Sequence, residues 1–250
     1  MAMYKSERHE QIMQIVRRFS YVTVKYLTAT LDYSVATLNR DLNELENQGI
    51  IKRSYGGVSL TESAVPPLPF RYHKLESIKS KLGQTASDVV CDGDTVFIDG
   101  TTTTQAIGKY LISKKNIKVI TSNIALFLYL NEHGVDTLLL GGGTVEPPYF
   151  LGGRDTESNA MRYHADKMFF SASRMTADGK IEADAEYETL RRIMANNSKE
   201  IYFLADNEKV SEKIDKVLFT FNEITGVISN YAFSNSVIKA FPSTKFIKVD

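Results

Sequence analysis

Between residues 35 and 45, Val35, Leu38, Leu42 and Leu45 recur at helical spacing, which predicts a helix with one apolar stripe. Ser34 stands at the N-cap position, and Gly49 offers the left-handed residue through which helices end. Upstream, Ile12, Ile15, Val16 and Phe19 predict a first helix, flanked by Arg8, Arg17 and Arg18. Thr23 can cap a short second helix carrying Val24, Leu27 and Leu31, with Asp32 and Tyr33 turning into the third. A hairpin follows, with Ile50 and Ile51 on its inner side, Lys52 and Arg53 on its outer side, and Gly56 and Gly57 at its tip.

Further along the chain the pattern changes. Pro66, Pro67 and Pro69 make residues 61–70 an extended connector between a unit at 1–60 and a larger one at 71–250. A helix is predicted over roughly 71–90, after which short apolar runs alternate with helical patterns. The expected strands are Thr95 to Asp99, Ile117 to Thr121, Thr137 to Leu140, Lys167 to Ala172, Glu200 to Ala205, Val227–Ile228 and Phe246 to Val249. Helices are expected over Thr101 to Ile112, Ser122 to Asn131 and Glu186 to Asn196. Strands apolar on both faces and separated by helices imply an α/β fold, a Rossmann-like and mostly parallel sheet covered on each side.

The polar face of the third helix gives the small unit a use. Thr37, Asn39 and Arg40 project near the helix start, and a basic hairpin follows, which is the layout of a winged helix-turn-helix DNA reader. Ser34 can cap the helix or touch a phosphate, while Lys52, Arg53 and Tyr55 would meet backbone or minor groove. Residues 1–60 carry eight Lys/Arg and six Asp/Glu, a net of only +2, so element order and turn chemistry carry this reading more than charge. The acids Asp41, Glu44 and Glu46 are expected toward the helix end, away from Arg40, Lys52 and Arg53.

The larger unit offers three polar loops at the carboxyl ends of its strands, where ligands of parallel sheets bind. Asp99, Gly100, Thr101, Thr102, Thr103 and Thr104 lead from a strand into a helix, and Thr121, Ser122 and Asn123 do the same. Hydroxyls and backbone N–H groups at a helix start make an anion cradle. Gly141 and Gly142 let backbone approach a ligand, and Asp206 with Lys209 adds an acid and a cation. A small phosphorylated, hydroxyl-rich molecule suits the set, with Asp99, Asn123 and Asp206 facing hydroxyls. No dinucleotide or ATP fingerprint is present, so no cofactor is expected.

Composition narrows the remaining classes. With 30 basic and 30 acidic residues the formal charge is zero, so nucleic-acid affinity must come from a local patch. Cys91 is the sole cysteine, which suits a reducing cytoplasm, and the four histidines show no metal-ligand spacing. No apolar run reaches membrane-spanning length.

These motifs together resemble the DeoR family of bacterial transcriptional regulators over nearly the whole length. The carrying residues run from Ser34 through Leu42, then Leu45–Glu46, Gly49 and Gly56–Gly57. Beyond the connector they are Lys79, Asp92 to Asp94, Asp99 with Thr102–Thr103, Thr121 to Asn123, Gly141–Gly142, Asp166–Lys167, and Asp206 with Lys209. The resemblance implies a winged helix-turn-helix followed by a sensor related to ribose-5-phosphate isomerase and CoA-transferase folds. It implies a repressor of a sugar-metabolism operon, acting as a dimer or tetramer on operator DNA and released by a phosphorylated sugar. Two positions and one loop depart from the family pattern. Asn39 replaces an arginine and could pair with adenine, Thr101 replaces a glycine, and Ser171 to Arg174 replace a glycine-richer loop. Two other readings compete: a sugar-phosphate isomerase with Asp99 or Glu186 as base near Lys209, and a regulator whose larger domain only oligomerises.

Overall fold

The computed structural model describes residues 5–19, 21–54, 56–60, 75–146 and 150–250, and it divides into two compact units, Met1–Lys74 and Leu75–Asp250. Within the first, α1 (Lys5–Phe19), β1 (Tyr21–Thr23), α2 (Val24–Leu31) and α3 (Val35–Asn47) precede the hairpin β2 (Ile51–Ser54) and β3 (Gly57–Leu60). The three strands pair antiparallel in the order β1-β3-β2. Ile12, Val16, Leu27, Leu38, Leu42, Leu45, Ile51 and Val58 close a common core. The caps are as expected: the Thr23 hydroxyl accepts from the Tyr26 N–H, the Ser34 hydroxyl from that of Thr37, and Gly49 has φ +70°. Among the described residues of the predicted apolar stripes, Val35 and Ile50 do not join this core. Val35 is 55% exposed because it occupies the first turn of α3, and Ile50 is 40% exposed because it precedes the first paired residue of the wing.

Asp41, grouped by sequence with the acids toward the helix end, lies in the second turn of α3. It is buried, and both its oxygens accept from Arg8 of α1 at 2.8 Å. Arg8 therefore ties α1 to α3.

The second unit opens with α4 (Glu76–Asp88) and β4 (Thr95–Ile98), then the short α5 (Thr102–Gln105) and α6 (Gly108–Leu111). β5 (Lys118–Thr121), α7 (Ile124–Glu132), β6 (Asp136–Leu139), the hairpin β7 (Gly143–Glu146) and β8 (Phe150–Gly152), and α8 (Arg154–Ala160) follow. Next come β9 (Ala165–Phe170), β10 (Met175–Thr176), β11 (Lys180–Glu182), α9 (Glu188–Asn196) and β12 (Ser198–Ala205). The chain ends with β13 (Val210–Ser211), β14 (Val217–Thr220), β15 (Gly226–Ser229), α10 (Asn235–Ala240) and β16 (Lys245–Lys248).

Seven of these strands form one all-parallel sheet in the order β6-β5-β4-β9-β12-β15-β16. Alternate residues feed cores on opposite faces. Phe97, Met168, Phe170 and Phe203 pack on one, and Val96, Ile98, Phe169, Tyr202 and Leu204 on the other. The single helix expected over 101–112 is two. Its interruption falls where α4 presses on the backbone, a Cβ on Gly83 lying only 2.5 Å from the Ala106 carbonyl oxygen. Periodicity also misses a four-stranded sheet, β13-β10-β11-β14, whose strands are two to four residues long, too short to show alternation.

From β4 the chain winds outward through β5 and β6, then returns to lay β9, β12, β15 and β16 on the other side. The order of winding reverses between β4 and β9, and ligands of open parallel sheets bind beyond the strand ends at such a switch point.

Candidate functional sites

At the switch point, the loop after β4 meets the loop after β9. The Asp99 N–H donates to the Phe169 carbonyl at 3.0 Å, and the Ser171 N–H donates to Asp99 Oδ2 at 3.2 Å. Asp99 Oδ1 accepts from the Thr101 N–H, the Thr101 hydroxyl and the Thr104 hydroxyl at 3.1, 2.9 and 2.6 Å. Its Oδ2 also takes Arg191 Nε at 3.2 Å, and Arg191 Nη1 reaches Asp184 at 2.6 Å. Arg191 is wholly enclosed. Burial works against its charge, but Asp99 and then Asp184 outweigh that and raise its pKa. Burial likewise pushes the Asp184 carboxyl up, and the Arg191 charge prevails and holds it below the ordinary value.

Lys209 completes this cluster. Asp206 caps the short turn Asn207–Lys209 by accepting from the Glu208 N–H at 3.1 Å, which sets the lysine pointing back. Lys209 Nζ donates to the Ser171 hydroxyl at 2.5 Å, the Ala172 carbonyl at 2.9 Å and the Thr103 hydroxyl at 3.3 Å. The residue is half-buried as a whole, but its ammonium group is enclosed, and desolvation lowers its pKa despite Asp206, Asp99 and Asp184 nearby. A second buried cation, Lys79 of α4, donates to the Thr102 hydroxyl at 2.9 Å.

The loop after β5 lies against the first. Asn123 caps α7 by accepting from the Leu126 N–H, and its amide nitrogen donates to the Gly100 carbonyl at 3.4 Å. Thr121 accepts from the Asn123 N–H at 3.1 Å. Ser122 is buried, and its hydroxyl has no hydrogen-bond partner among the described residues. A Cβ on Gly100 would lie 3.5 Å from that hydroxyl, so the orphaned group sits beside the first loop.

Gly141 and Gly142 behave differently. The Gly141 carbonyl accepts from the Thr156 hydroxyl at 2.6 Å, and a Cβ on Gly142 would lie 2.1 Å from the same oxygen. The close approach that requires glycine here is to α8. Thr101 turns its hydroxyl onto Asp99 and caps α5. Arg191 and Asp184 join the cluster although no sequence motif marks them, together with Ser171 and Thr104. Arg191 lies within an amphipathic helix and carries no local signal, whereas Thr104 was visible as the last of four consecutive threonines.

On the first unit, Arg40 and Lys52 are exposed, and Thr37 and Asn39 are half-buried. Ser34 and Thr37 share a hydroxyl pair at 2.9 Å. Arg53 lies across α3: its N–H donates to Glu46 at 2.8 Å, Nη2 to Asn39 Oδ1 at 2.6 Å, and Nη1 to Asn43 Oδ1. Glu46 is thus a partner of the wing. Tyr55 and the connector 61–70 lie outside the described residues.

Residues 8–64 match the DeoR-like helix-turn-helix domain, and residues 75–231 match the DeoR C terminal sensor domain. The chain belongs to the DeoR family. It is a DNA-binding transcriptional regulator with an α/β sensor domain. Among DeoR-like relatives, the HTH-type transcriptional repressor GlcR of Bacillus subtilis is 29% identical over 231 residues, 91% of this chain and 89% of GlcR. The lactose phosphotransferase system repressor of Lactococcus lactis is 30% identical over 214 residues, 83% of this chain and 84% of the relative. The glycerol-3-phosphate regulon repressor of Escherichia coli is 27% identical over 210 residues, 83% of each chain. Ribose 5 phosphate isomerase A from Neisseria gonorrhoeae aligns over 55% of each chain at 13% identity, with a TM-score of 0.41, too slight a likeness to carry an argument. Among the described residues no helix is long and apolar enough to cross a membrane, and no cluster of acids, histidines and cysteine could hold a metal ion.

Proposed function

We propose that this DeoR-family regulator represses a sugar-metabolism operon in the cytoplasm, as a dimer or tetramer, and that a small phosphorylated sugar releases it. Operator DNA is read by α3 through Thr37, Asn39 and Arg40, with Ser34 capping the helix or at a phosphate and Lys52, Arg53 and Tyr55 at the backbone or minor groove. The effector sits beside Asp99, Gly100, Thr101, Thr102, Thr103, Thr121, Ser122, Asn123, Asp206 and Lys209. Gly141 and Gly142 shape the neighbouring loop.

The observation that carries this reading is the polar cluster at the switch point. Two enclosed or buried cations, Lys79 and Lys209, stand among threonine hydroxyls, and the buried Ser122 hydroxyl has no hydrogen-bond partner among the described residues. Buried polar groups are almost always satisfied, so an orphan beside a ligand-binding loop supports a ligand that satisfies it. Cations with hydroxyls suit a phosphate and a hydroxylated carbon chain. Names such as lactose phosphotransferase system repressor and glycerol-3-phosphate regulon repressor agree with that chemistry.

Turnover is not part of the proposal. Both oxygens of Asp99 are engaged by five donors of the protein, which supports a structural role for this carboxylate.

The test is a panel of sugar phosphates and free sugars in thermal denaturation, run beside fluorescence anisotropy on the duplex upstream of the protein's own gene. One phosphorylated sugar should stabilise the protein and release the duplex, and its unphosphorylated form should do neither. Stabilisation by no member of the panel favours a domain that only oligomerises, and isomerisation of ribose 5-phosphate favours an enzyme.

A further inference from the structure

We propose that Arg53 of the wing is a positioning residue that holds the amides of Asn39 and Asn43 as hydrogen-bond donors. These two positions then favour guanine or thymine in the major groove over adenine. The inference rests on groove entry by α3, as proposed above.

Three residues of α3, Asn39, Asn43 and Glu46, follow one another at helical spacing along one face. Arg53 lies over that row. Its backbone N–H is anchored on the Glu46 carboxylate, and its two terminal nitrogens reach the amide oxygens of Asn39 and Asn43. β2–β3 pairing sets Arg53 opposite Val58, which fixes the strand beneath the side chain. Asn43 is exposed and Asn39 half-buried, so both amides can reach a partner outside the protein.

A guanidinium carries donors only, so the atom it touches on each amide must be the oxygen. Rotating either amide by half a turn would set N–H against N–H. Both carbonyl ends therefore face the cation, and both NH2 ends are free to point elsewhere. Adenine is read by one amide using its oxygen for N6–H and its nitrogen for N7. Here the oxygen is already bonded to a positive charge, which weakens a second approach by a base donor. The same polarisation strengthens the N–H arm. Adenine N7 accepts too, but the N6–H beside it finds only the occupied oxygen, whereas guanine sets O6 and N7 side by side and thymine offers O4 to that arm. The readout implied for Asn39 thus differs from the adenine pairing that its side chain alone suggests.

The test is selection from a randomised duplex library with the full chain, comparing wild type, Asn39→Ala, Asn43→Ala and Arg53→Lys. Base positions whose preference vanishes in the two alanine variants are the ones these amides read. Wild type should enrich guanine or thymine there. Arg53→Lys keeps the charge but offers a point ammonium in place of a fork spanning two carbonyls. Discrimination against adenine at the mapped positions should fall by about tenfold, the scale of one base-edge contact. Adenine enriched at those positions, wild-type discrimination retained by Arg53→Lys, or alanine variants that alter no position would each overturn the inference while leaving DNA binding intact. Wild type that enriches no sequence overturns groove entry by α3, and this inference with it.

Discussion

Lys209 and Arg40 show how differently a single cation can be used. Lys209 is enclosed, and burial holds its pKa below the ordinary value of 10.5. A phosphate brought beside it favours the charged form, so binding takes up a proton once the pH exceeds the lowered pKa. Affinity for the phosphorylated sugar should therefore weaken with rising pH from below 10.5, and Lys209→Met should bind weakly and lose that dependence. Isothermal titration at several pH values measures both, and a variant still released from DNA by the effector removes Lys209 from the site. Arg40 is exposed on α3 and free to reach a base edge. Arg40→Ala should weaken operator binding by about 1–3 kcal/mol if it makes that contact. Unchanged anisotropy titrations would take it out of the interface.

Among the elements, α3 depends on α1 for its orientation. The hydrogen bonds from Arg8, ahead of the cost of burial, hold Asp41 below its ordinary value of 3.8. A carboxyl lowered in the folded state stabilises it above the unfolded value, and the contribution is lost as pH falls through the folded one. The first unit should therefore lose stability below about pH 4, the ordinary carboxylate range. Asp41→Asn should be less stable than wild type at neutral pH and converge with it in acid. Circular dichroism melts across pH measure this, and parallel curves for the two proteins would mean that the pair contributes nothing. Because the pair joins α1 to the helix carrying Asn39 and Arg40, operator affinity of the variant should fall along with stability.

For the whole molecule, ligand linkage sets the size of the response to expect. A ligand at about 100 times its Kd stabilises the state that binds it by about 2.7 kcal/mol. For a unit the size of Leu75–Asp250 that corresponds to a Tm rise of roughly 5–10 °C. The isolated second unit should keep that rise, since every proposed effector residue lies within it, and should have no operator affinity. Loss of the rise in this fragment would mean that the effector needs the first unit.

Much of this was readable along the chain. Ser34, Thr23 and Asn123 act through hydrogen bonds to residues three places on, so their capping roles follow from local spacing. The strands of the large sheet were written in apolar runs, but their spatial order was not, and the small sheet was missed. The second anchor of Asp99 had no such signal, because Arg191 lies 92 residues away and meets it only when β9 is laid beside β4. The same holds for Asp41 with Arg8, and for Asn39 with Arg53. Sequence by itself determined most helices, the strands of the large sheet and which loops are polar, because those depend on neighbours a few bonds away. Tertiary structure alone decided which charges are buried and which amide end faces outward, because a charge can be buried only where its distant counter-group is brought to it.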